Sequence, residues 1–306
     1  MAFVLVIGLV AIVADVLVSK GLRKTERGSH YTFNALMNQT INADVVVLGN
    51  SRVIRSYNTT ILDTILNVNS RNLGVSGQPF GVSYLGWQLY TRRNKYPKLL
   101  IINIDYAELT MIFNGFEKEV YYPYIYDARV KPFFDLYGFT WLEKHCPMYR
   151  YRGEYKLMSI GLLETLNIHH DTKGDYVKGY SNPYEKWQSF LLSKLKKRGT
   201  IYGWTDAQAV GLLDEVLQTA EKEGFPVLFV YAPIFKGLKD ILDEKASMEI
   251  YYSLAEKYGI HILDYSDMEF YSDTYYFIDA THVNELGARL FSIELAHAID
   301  SLGLLK

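Results

Sequence analysis

Residues 43–56 read ADVVVLGNSRVIRS and predict the central strand of the fold, together with the turn that follows it. Val45–Leu48 is an unbroken apolar run, which is typical of a strand covered by helices on both faces. The run ends at Gly49, and Ser51 follows where the chain turns over. Ligands of open parallel sheets bind outside the carboxyl ends of the strands. We therefore expect the Ser51 hydroxyl to face solvent, either as a nucleophile or as a simple helix cap.

A second informative stretch lies near the end of the chain, where residues 277–284 read FIDATHVN. Asp279 and His282 are three residues apart, just before an apolar-periodic segment that predicts the last helix. A serine nucleophile needs a base to take its proton, and the base needs an acid that fixes its tautomer. The D-x-x-H spacing on one loop brings a carboxylate to an imidazole. The two stretches together predict a catalytic triad of Ser51, His282 and Asp279.

Further apolar runs alternate with helical patterns and predict an α/β fold. Besides Val45–Leu48, strands are expected at 71–75, 99–104, 227–231 and 261–263. Helices are expected at 30–42, 61–66 (capped by Asn58), 79–90, 206–223 and 239–258, and after residue 284. Residues 106–200 break this rhythm, so we expect an insertion after the third strand. At the strand-end face such an insertion would roof or flank the site.

The order of these motifs resembles the SGNH (GDSL-like) hydrolase superfamily. Gly49-Asn50-Ser51 stands where that family has Gly-Asp-Ser, and Asp279–His282 stands where it has Asp-x-x-His. Residues 72–77, NLGVSG, resemble the family's second block. The third block, usually Gly-x-Asn-Asp after a strand, is not matched, although Asn103 follows the third predicted strand. The resemblance spans residues 43–302, with a divergent middle.

The resemblance implies both a fold and an activity. We expect a flavodoxin-like three-layer fold with about five parallel strands. The implied oxyanion hole consists of the backbone N–H groups of Ser51 and Gly74, with the Asn103 side chain as third donor. The nearest likeness is to membrane-anchored proteins of D-alanyl transfer in teichoic acid synthesis and of alginate O-acetylation. The implied function is a serine esterase or O-acyltransferase that acts on ester-linked acyl groups of a cell-envelope glycan, without a metal or organic cofactor.

Two other functions stay open at this point. The unmatched third block favours a non-catalytic scaffold or glycan-binding partner of a multi-span membrane acyltransferase. A lipid-active esterase is the other alternative, and it would prefer long acyl chains.

The beginning of the chain predicts a membrane anchor. Residues 2–19 contain one charge, Asp15, and approach the ~20 residues that cross a bilayer. No small-x-small cleavage site follows, which favours an uncleaved anchor over a signal peptide; a buried N-terminal helix is the alternative. Basic residues follow the segment (Lys20, Arg23, Lys24, Arg27), which the positive-inside rule places in the cytoplasm. The resemblance implies the opposite orientation, with an extracytoplasmic catalytic domain. The expected division is an anchor at 1–20, a linker and short helix at 21–42, and the α/β domain at 43–306.

Four arginines are candidates for binding an anionic or carbonyl group of a substrate. Arg52 and Arg55 follow the predicted nucleophile, and Arg150 and Arg152 lie in the predicted insertion. For Arg52 and Arg55 a surface ion pair is the plainer alternative.

Composition narrows the function classes. The net charge of −2 over 306 residues does not suggest a nucleic-acid binder. The 26 tyrosines suit a carbohydrate-facing surface or a partner interface, and many of them would simply fill half-buried positions. Cys146 is the sole cysteine, so no intramolecular disulfide can form. The stretch 169–171, HHD, suggests a metal site, but adjacent histidines point in different directions, which favours a solvated loop.

Overall fold

The computed structural model describes residues 2–111, 117–168, 176–182, 185–267 and 272–305. The chain divides into two compact units. The first comprises Met1–Gln39 and Phe113–Tyr176, and the second comprises Thr40–Ile112 and Val177–Lys306.

The described strands all lie in the second unit, where they alternate with helices, and the helices before residue 40 and between residues 113 and 176 lie in the first unit. The strands are β1 (Val45–Leu48), β2 (Ser70–Asn72), β3 (Leu99–Asn103), β4 (Ile201–Tyr202), β5 (Val227–Tyr231), β6 (Leu242–Asp243) and β7 (His261–Asp264). The helices are α1 (Ala2–Leu22), α2 (Ser29–Asn38), α3 (Ser51–Ser56), α4 (Thr59–Leu66), α5 (Phe80–Thr91), α6 (Lys131–Leu136), α7 (Trp141–His145), α8 (Tyr155–Thr165), α9 (Phe190–Lys196), α10 (Ala207–Glu223), α11 (Lys236–Lys239), α12 (Lys245–Tyr258) and α13 (Glu285–Leu302).

The second unit is built on a five-stranded sheet in the order β2-β1-β3-β5-β7, and all pairs in it are parallel. If these five strands alone are numbered in chain order, leaving out the small β4-β6 pair, their order is 2-1-3-4-5, which is that of flavodoxin-like folds. The predicted fold class is therefore confirmed. β1 lies between β2 and β3, where the chain switches direction across the sheet. Ser51 therefore follows the strand at which ligands of this fold class bind.

The central strands are buried on both faces, which explains their uninterrupted apolar sequences. Every residue of β1, β3 and β5 is buried. α13 packs on α3 and α4, whereas α10 packs on α5 and α12, so two groups of helices enclose the sheet. Val45 and Val47 share one core cluster with Phe291 and Leu295 of α13. Burial of such side chains contributes about 1.5–3 kcal/mol each.

Several element boundaries differ from the predicted ones. β2 ends at Asn72, although the N–H groups of Leu73 and Val75 still donate to carbonyls of β1 and Gly49. The predicted helix 239–258 is divided into α11, the short strand β6 and α12. The Asn58 cap is confirmed, since its side chain accepts from the N–H groups of Thr60 and Ile61.

The first unit joins the start of the chain to most of the predicted insertion. This differs from the expected anchor, linker and single domain, because Met1–Gln39 packs with Phe113–Tyr176 instead of standing apart. Residues 177–200 belong to the sheet-containing unit. The N–H of Ser181, for example, donates to a carbonyl of α3 at 3.1 Å.

Tyrosines of the insertion mostly form the core of the first unit. Tyr121 stacks on Phe133 with ring centroids 4.9 Å apart, and Phe33 of α2 meets Tyr121 edge-on at 4.9 Å. Tyr124 is also buried, whereas Tyr126 is exposed. Packing of these rings on one another, rather than stacking on a ligand, accounts for most of this cluster.

α1 is long and apolar enough to cross a membrane, by length and composition. Its two halves have different surroundings. Residues 2–14 are mostly exposed, whereas Asp15 and four residues after it are buried in the first unit. α8 packs on this second half, and a Cβ added at Gly21 would lie 1.7 Å from the Gly161 carbonyl oxygen. The second half of α1 is therefore held inside the first unit, and the buried-helix alternative describes only that half.

Candidate active site

The turn that carries Ser51 joins β1 to α3. Gly49 has φ +146°, and a Cβ at this position would lie 2.6 Å from a methyl carbon of Val53. Glycine is therefore required where the chain turns tightly over its own helix. The Asn50 side chain caps α3 by accepting from the Arg52 N–H at 2.9 Å. Its amide group donates to Asp105 at 3.1 Å, so both ends of the Asn50 side chain fix the position of Ser51.

Asp279 and His282 lie on a closed loop between β7 and α13. A bridge between Phe277 and Val283 closes the loop at its base. Within it the N–H of Ile278 donates to the His282 carbonyl at 2.8 Å. Asn284 then caps α13 through the N–H of Gly287. The loop therefore holds its shape through its own hydrogen bonds.

The structure brings the three predicted triad residues together. Ser51 Oγ lies 2.8 Å from His282 Nε2. His282 Nδ1 lies 3.0 Å and 3.1 Å from the two carboxyl oxygens of Asp279. A proton on Nδ1 binds the carboxylate, which leaves Nε2 as the acceptor for the serine hydroxyl. All three residues are partly exposed, so a substrate can reach them from solvent.

Asp279 stays ionised because its loop supplies several donors. Its Oδ1 accepts from the N–H groups of Thr281 at 2.8 Å and His282 at 3.0 Å, and from the Thr281 hydroxyl at 2.9 Å. Burial by itself would raise the pKa of this carboxyl, but His282 and Thr281 lower it to about 2. A carboxylate at neutral pH can stabilise the imidazolium that forms when His282 takes a proton.

No protein-family model and no curated protein match this sequence. The resemblance to SGNH hydrolases therefore stays a prediction, and the geometry carries the functional proposal.

Two of the three predicted oxyanion donors are not available to a substrate. The Gly74 N–H donates to the Asn72 side chain at 2.9 Å, which corrects its predicted role. The Asn103 side chain is fully buried: its oxygen accepts from the Tyr57 hydroxyl at 2.9 Å, and its amide nitrogen has no hydrogen-bond partner among the described residues but is closed off from solvent. Ser51 begins α3, so its N–H has no acceptor within the helix and is the predicted donor that can still serve.

The two arginines of α3 have structural partners. Arg52 is buried and binds Asp105 at 3.0 Å and the carbonyls of Ala232 and Pro233, so it does not bind a substrate as predicted. Its ion pair is internal rather than on the surface. Arg55 is partly exposed and donates to the Ser181 carbonyl at 3.2 Å, and a substrate contact of this residue stays a prediction.

The other two predicted arginines belong to the first unit. Arg150 is 1% exposed, and its guanidinium binds Asp15 at 2.5 Å and the Tyr122 carbonyl at 2.9 Å. This burial contradicts its predicted substrate contact. Arg152 is about half exposed and stacks on Tyr149 at 4.2 Å, and its substrate role stays a prediction.

Two acidic residues behind the turn that carries Ser51 were missed in the sequence. Asp105 joins Arg52 to Asn50, and Glu108 is buried beside Gly49. Burial, with the nearby Asp105 charge, raises the pKa of Glu108 well above its usual range. Their position just after β3 was the available signal, because that strand ends at the same sheet edge as β1.

Among the described residues no group of histidine, cysteine and acidic side chains could hold a metal ion. The stretch 169–171 lies outside the described residues.

Proposed function

We propose that this protein is a serine esterase or O-acyltransferase with Ser51 as nucleophile, His282 as general base and Asp279 as the residue that orients the base. The observation that supports this most directly is the 2.8 Å contact between Ser51 Oγ and His282 Nε2. The contact joins residues 231 positions apart in the chain, at the edge of the sheet where this fold class binds ligands.

The proposed reaction has two acyl-transfer steps. Ser51 Oγ attacks the ester carbonyl while His282 Nε2 takes the hydroxyl proton, and the imidazolium returns that proton to the departing alcohol. An acyl-serine remains. Water or a sugar hydroxyl then attacks it, His282 again takes and returns the proton, and free Ser51 is regenerated. Asp279 stays ionised throughout and stabilises the imidazolium.

The oxyanion formed in each step would be stabilised by the Ser51 N–H at the start of α3. One such donor is worth about 3 kcal/mol, or roughly two orders of magnitude in rate. With the Gly74 N–H engaged by Asn72 and the Asn103 amide buried out of reach of solvent, we expect slower turnover than from a complete oxyanion hole.

The proposed substrate is an acylated glycan of the cell envelope, with the catalytic unit outside the cytoplasm. The apolar α1 supports a membrane anchor, and the resemblance supports the glycan and the orientation. Arg23, one of the basic residues after the helix, has a structural partner because it donates to the Pro123 carbonyl at 2.9 and 2.6 Å. The carbonyl does not neutralise the guanidinium, so the proposed orientation is supported by the resemblance alone.

A second candidate is a non-catalytic scaffold or glycan-binding partner of a multi-span acyltransferase. The engaged N–H of Gly74 and the buried side chain of Asn103 favour it, because they remove donors that a fast acyl transferase would use.

The test uses the full chain in detergent, because truncation before residue 28 would remove the buried half of α1. We expect labelling by a fluorophosphonate and hydrolysis of 4-nitrophenyl acetate, both lost in Ser51→Ala and retained in Ser193→Ala, an exposed serine of α9. A folded parent chain with neither labelling nor turnover would overturn the esterase proposal in favour of the scaffold. A preference for long acyl esters would instead favour a lipid substrate.

A further inference from the structure

A cavity of about 490 Å³ adjoins the loop that carries Asp279 and His282. It is called here the Trp187 cavity, and its volume lies within the range of about 300–1,000 Å³ that small-molecule sites occupy. Its main lining residues are Glu185, Lys186, Trp187, Asp273, Thr274 and Tyr275.

Both walls of the cavity are attached to the catalytic loop. The residue after Trp187, Gln188, donates its N–H to the Ile278 carbonyl at 2.6 Å, directly before Asp279. On the other wall the Tyr275 carbonyl accepts from the Asn284 side chain at 2.6 Å, two residues after His282. A ligand in the cavity would therefore lie against the loop that holds the base.

Two aromatic side chains give the cavity flat apolar surfaces. Trp187 is fixed from behind by Phe235, with ring centroids 4.7 Å apart, and Phe235 packs in turn on Phe277 of the loop. Tyr275 is 59% exposed and is held edge-on by Tyr276 at 5.3 Å. Rigid aromatic faces that already stand at the surface bind the apolar face of a pyranose ring with little loss of side-chain entropy.

The charged groups of the cavity keep hydrogen-bonding capacity for a ligand. Within the described part of the chain Glu185, Lys186 and Asp273 form no ion pair. Glu185 Oε2 accepts from the Gln188 side-chain amide at 3.5 Å and Asp273 Oδ1 accepts from the Tyr275 N–H at 2.8 Å, which leaves the second oxygen of each carboxylate for a ligand. Two carboxylates accept hydrogen bonds from vicinal hydroxyls, and Lys186 donates one to a ring or hydroxyl oxygen. Since negative charges outnumber positive ones, a carboxylate or phosphate on the ligand would be repelled.

We propose that the Trp187 cavity is a subsite for a pyranose unit without an acidic group, next to the acyl-transfer centre. The proposal rests on the glycan part of the proposed function and specifies the sugar. In this arrangement the ring stacks on Trp187 and Tyr275 while Glu185 and Asp273 bind its hydroxyls. The sugar so held would lie against the loop that carries Asp279 and His282.

The test is calorimetric titration of the full chain, in a detergent without a sugar headgroup, with cellotetraose, tetra-N-acetylchitotetraose and tetragalacturonate. We expect a neutral tetramer to bind at least about tenfold tighter than tetragalacturonate. We expect Tyr275→Ala and Glu185→Ala each to weaken that binding about tenfold, as removal of an aromatic anchor or a paired polar group does. The side chains of Tyr275 and Glu185 are exposed, so these two variants test the subsite even if a third variant, Trp187→Ala, does not fold. Tyr252→Ala, an exposed tyrosine of α12, is the matched control and should bind as the parent does.

The Ser51→Ala chain separates this proposal from the proposed function. It should bind the neutral tetramer as tightly as the parent, because Ser51 does not line the cavity. If the parent binds the neutral tetramer but shows no esterase turnover, the subsite proposal is supported and the esterase proposal is rejected. Three results would each overturn the proposed subsite. The parent could turn over ester without binding either neutral tetramer, Tyr275→Ala and Glu185→Ala could bind as the parent does, or tetragalacturonate could bind more tightly than the neutral tetramers.

Discussion

Replacement of Asp279 by asparagine should inactivate the proposed enzyme by exchanging the histidine tautomer. Asp279 Oδ1 faces the N–H groups of Thr281 and His282 and the Thr281 hydroxyl. The amide oxygen of an asparagine would take that position, because it is the only end of the amide that accepts hydrogen bonds. The amide nitrogen would then replace Oδ2, which lies 3.0 Å from His282 Nδ1.

An amide nitrogen at that position donates to Nδ1 and moves the ring proton to Nε2. Nε2 lies 2.8 Å from Ser51 Oγ and must accept a proton there for the serine to attack. The variant would thus keep the geometry and lose the base. In an established triad such a change costs about 10⁴-fold in turnover, which corresponds to about 5.5 kcal/mol of transition-state stabilisation.

The assay for Asp279→Asn is kcat/KM for 4-nitrophenyl acetate and the rate of fluorophosphonate labelling, with circular dichroism to verify folding. Asp206→Asn is the matched control, since Asp206 also caps a turn by accepting from a backbone N–H, at the start of α10. We expect a loss of about 10³- to 10⁴-fold in the first variant and parental rates in the second. A folded Asp279→Asn chain that retains a tenth or more of the parental rate would refute the assigned role of Asp279.

Three further changes test the structure around the site. The folded-state pKa of Asp279 is about 2 and its ordinary value is 3.8, so the ionised carboxylate stabilises the fold above pH 3.8 and this stabilisation is lost as the pH falls toward 2. Between pH 5 and pH 2 the free energy of unfolding of the parent should therefore fall by about 2 kcal/mol more than that of Asp279→Asn. Urea unfolding of both chains at the two pH values measures the difference. Arg52→Met should destabilise the chain by about 3–5 kcal/mol in urea unfolding, since it leaves the Asp105 carboxylate buried without its cation, and a loss below 1 kcal/mol would contradict the internal ion pair. Gly21→Ala should lower the unfolding temperature in detergent through an overpacking cost of about 1–3 kcal/mol, whereas Gly8→Ala, whose added Cβ meets nothing within 4 Å, should not.

The sequence by itself determined the sheet and indicated the three residues of the proposed triad. Central strands that are buried on both faces appear as continuous apolar runs, so β1, β3 and β5 can be recognised in the sequence alone. Ser51 and the Asp279–His282 loop are visible for a different reason. A serine after a buried strand and an Asp-x-x-His pair before the last helix stand out because their residue types and their order in the chain match those of a triad.

Tertiary structure alone decided what the surrounding polar groups bind. Arg52 is next to Ser51 in sequence but turns inward to Asp105, 53 residues away. Asp15 looks like an isolated charge in an apolar helix until Arg150, 135 residues later, is seen to pair with it. The Gly74 N–H is likewise taken by a neighbouring side chain.

The physical reason is the range of the interactions. Strand burial and helix capping act over a few residues and leave a periodic or positional trace in the sequence. Whether a particular arginine or N–H meets a carboxylate, a carbonyl or solvent depends on which distant segments the fold brings beside it. That outcome is set only when the whole chain has packed.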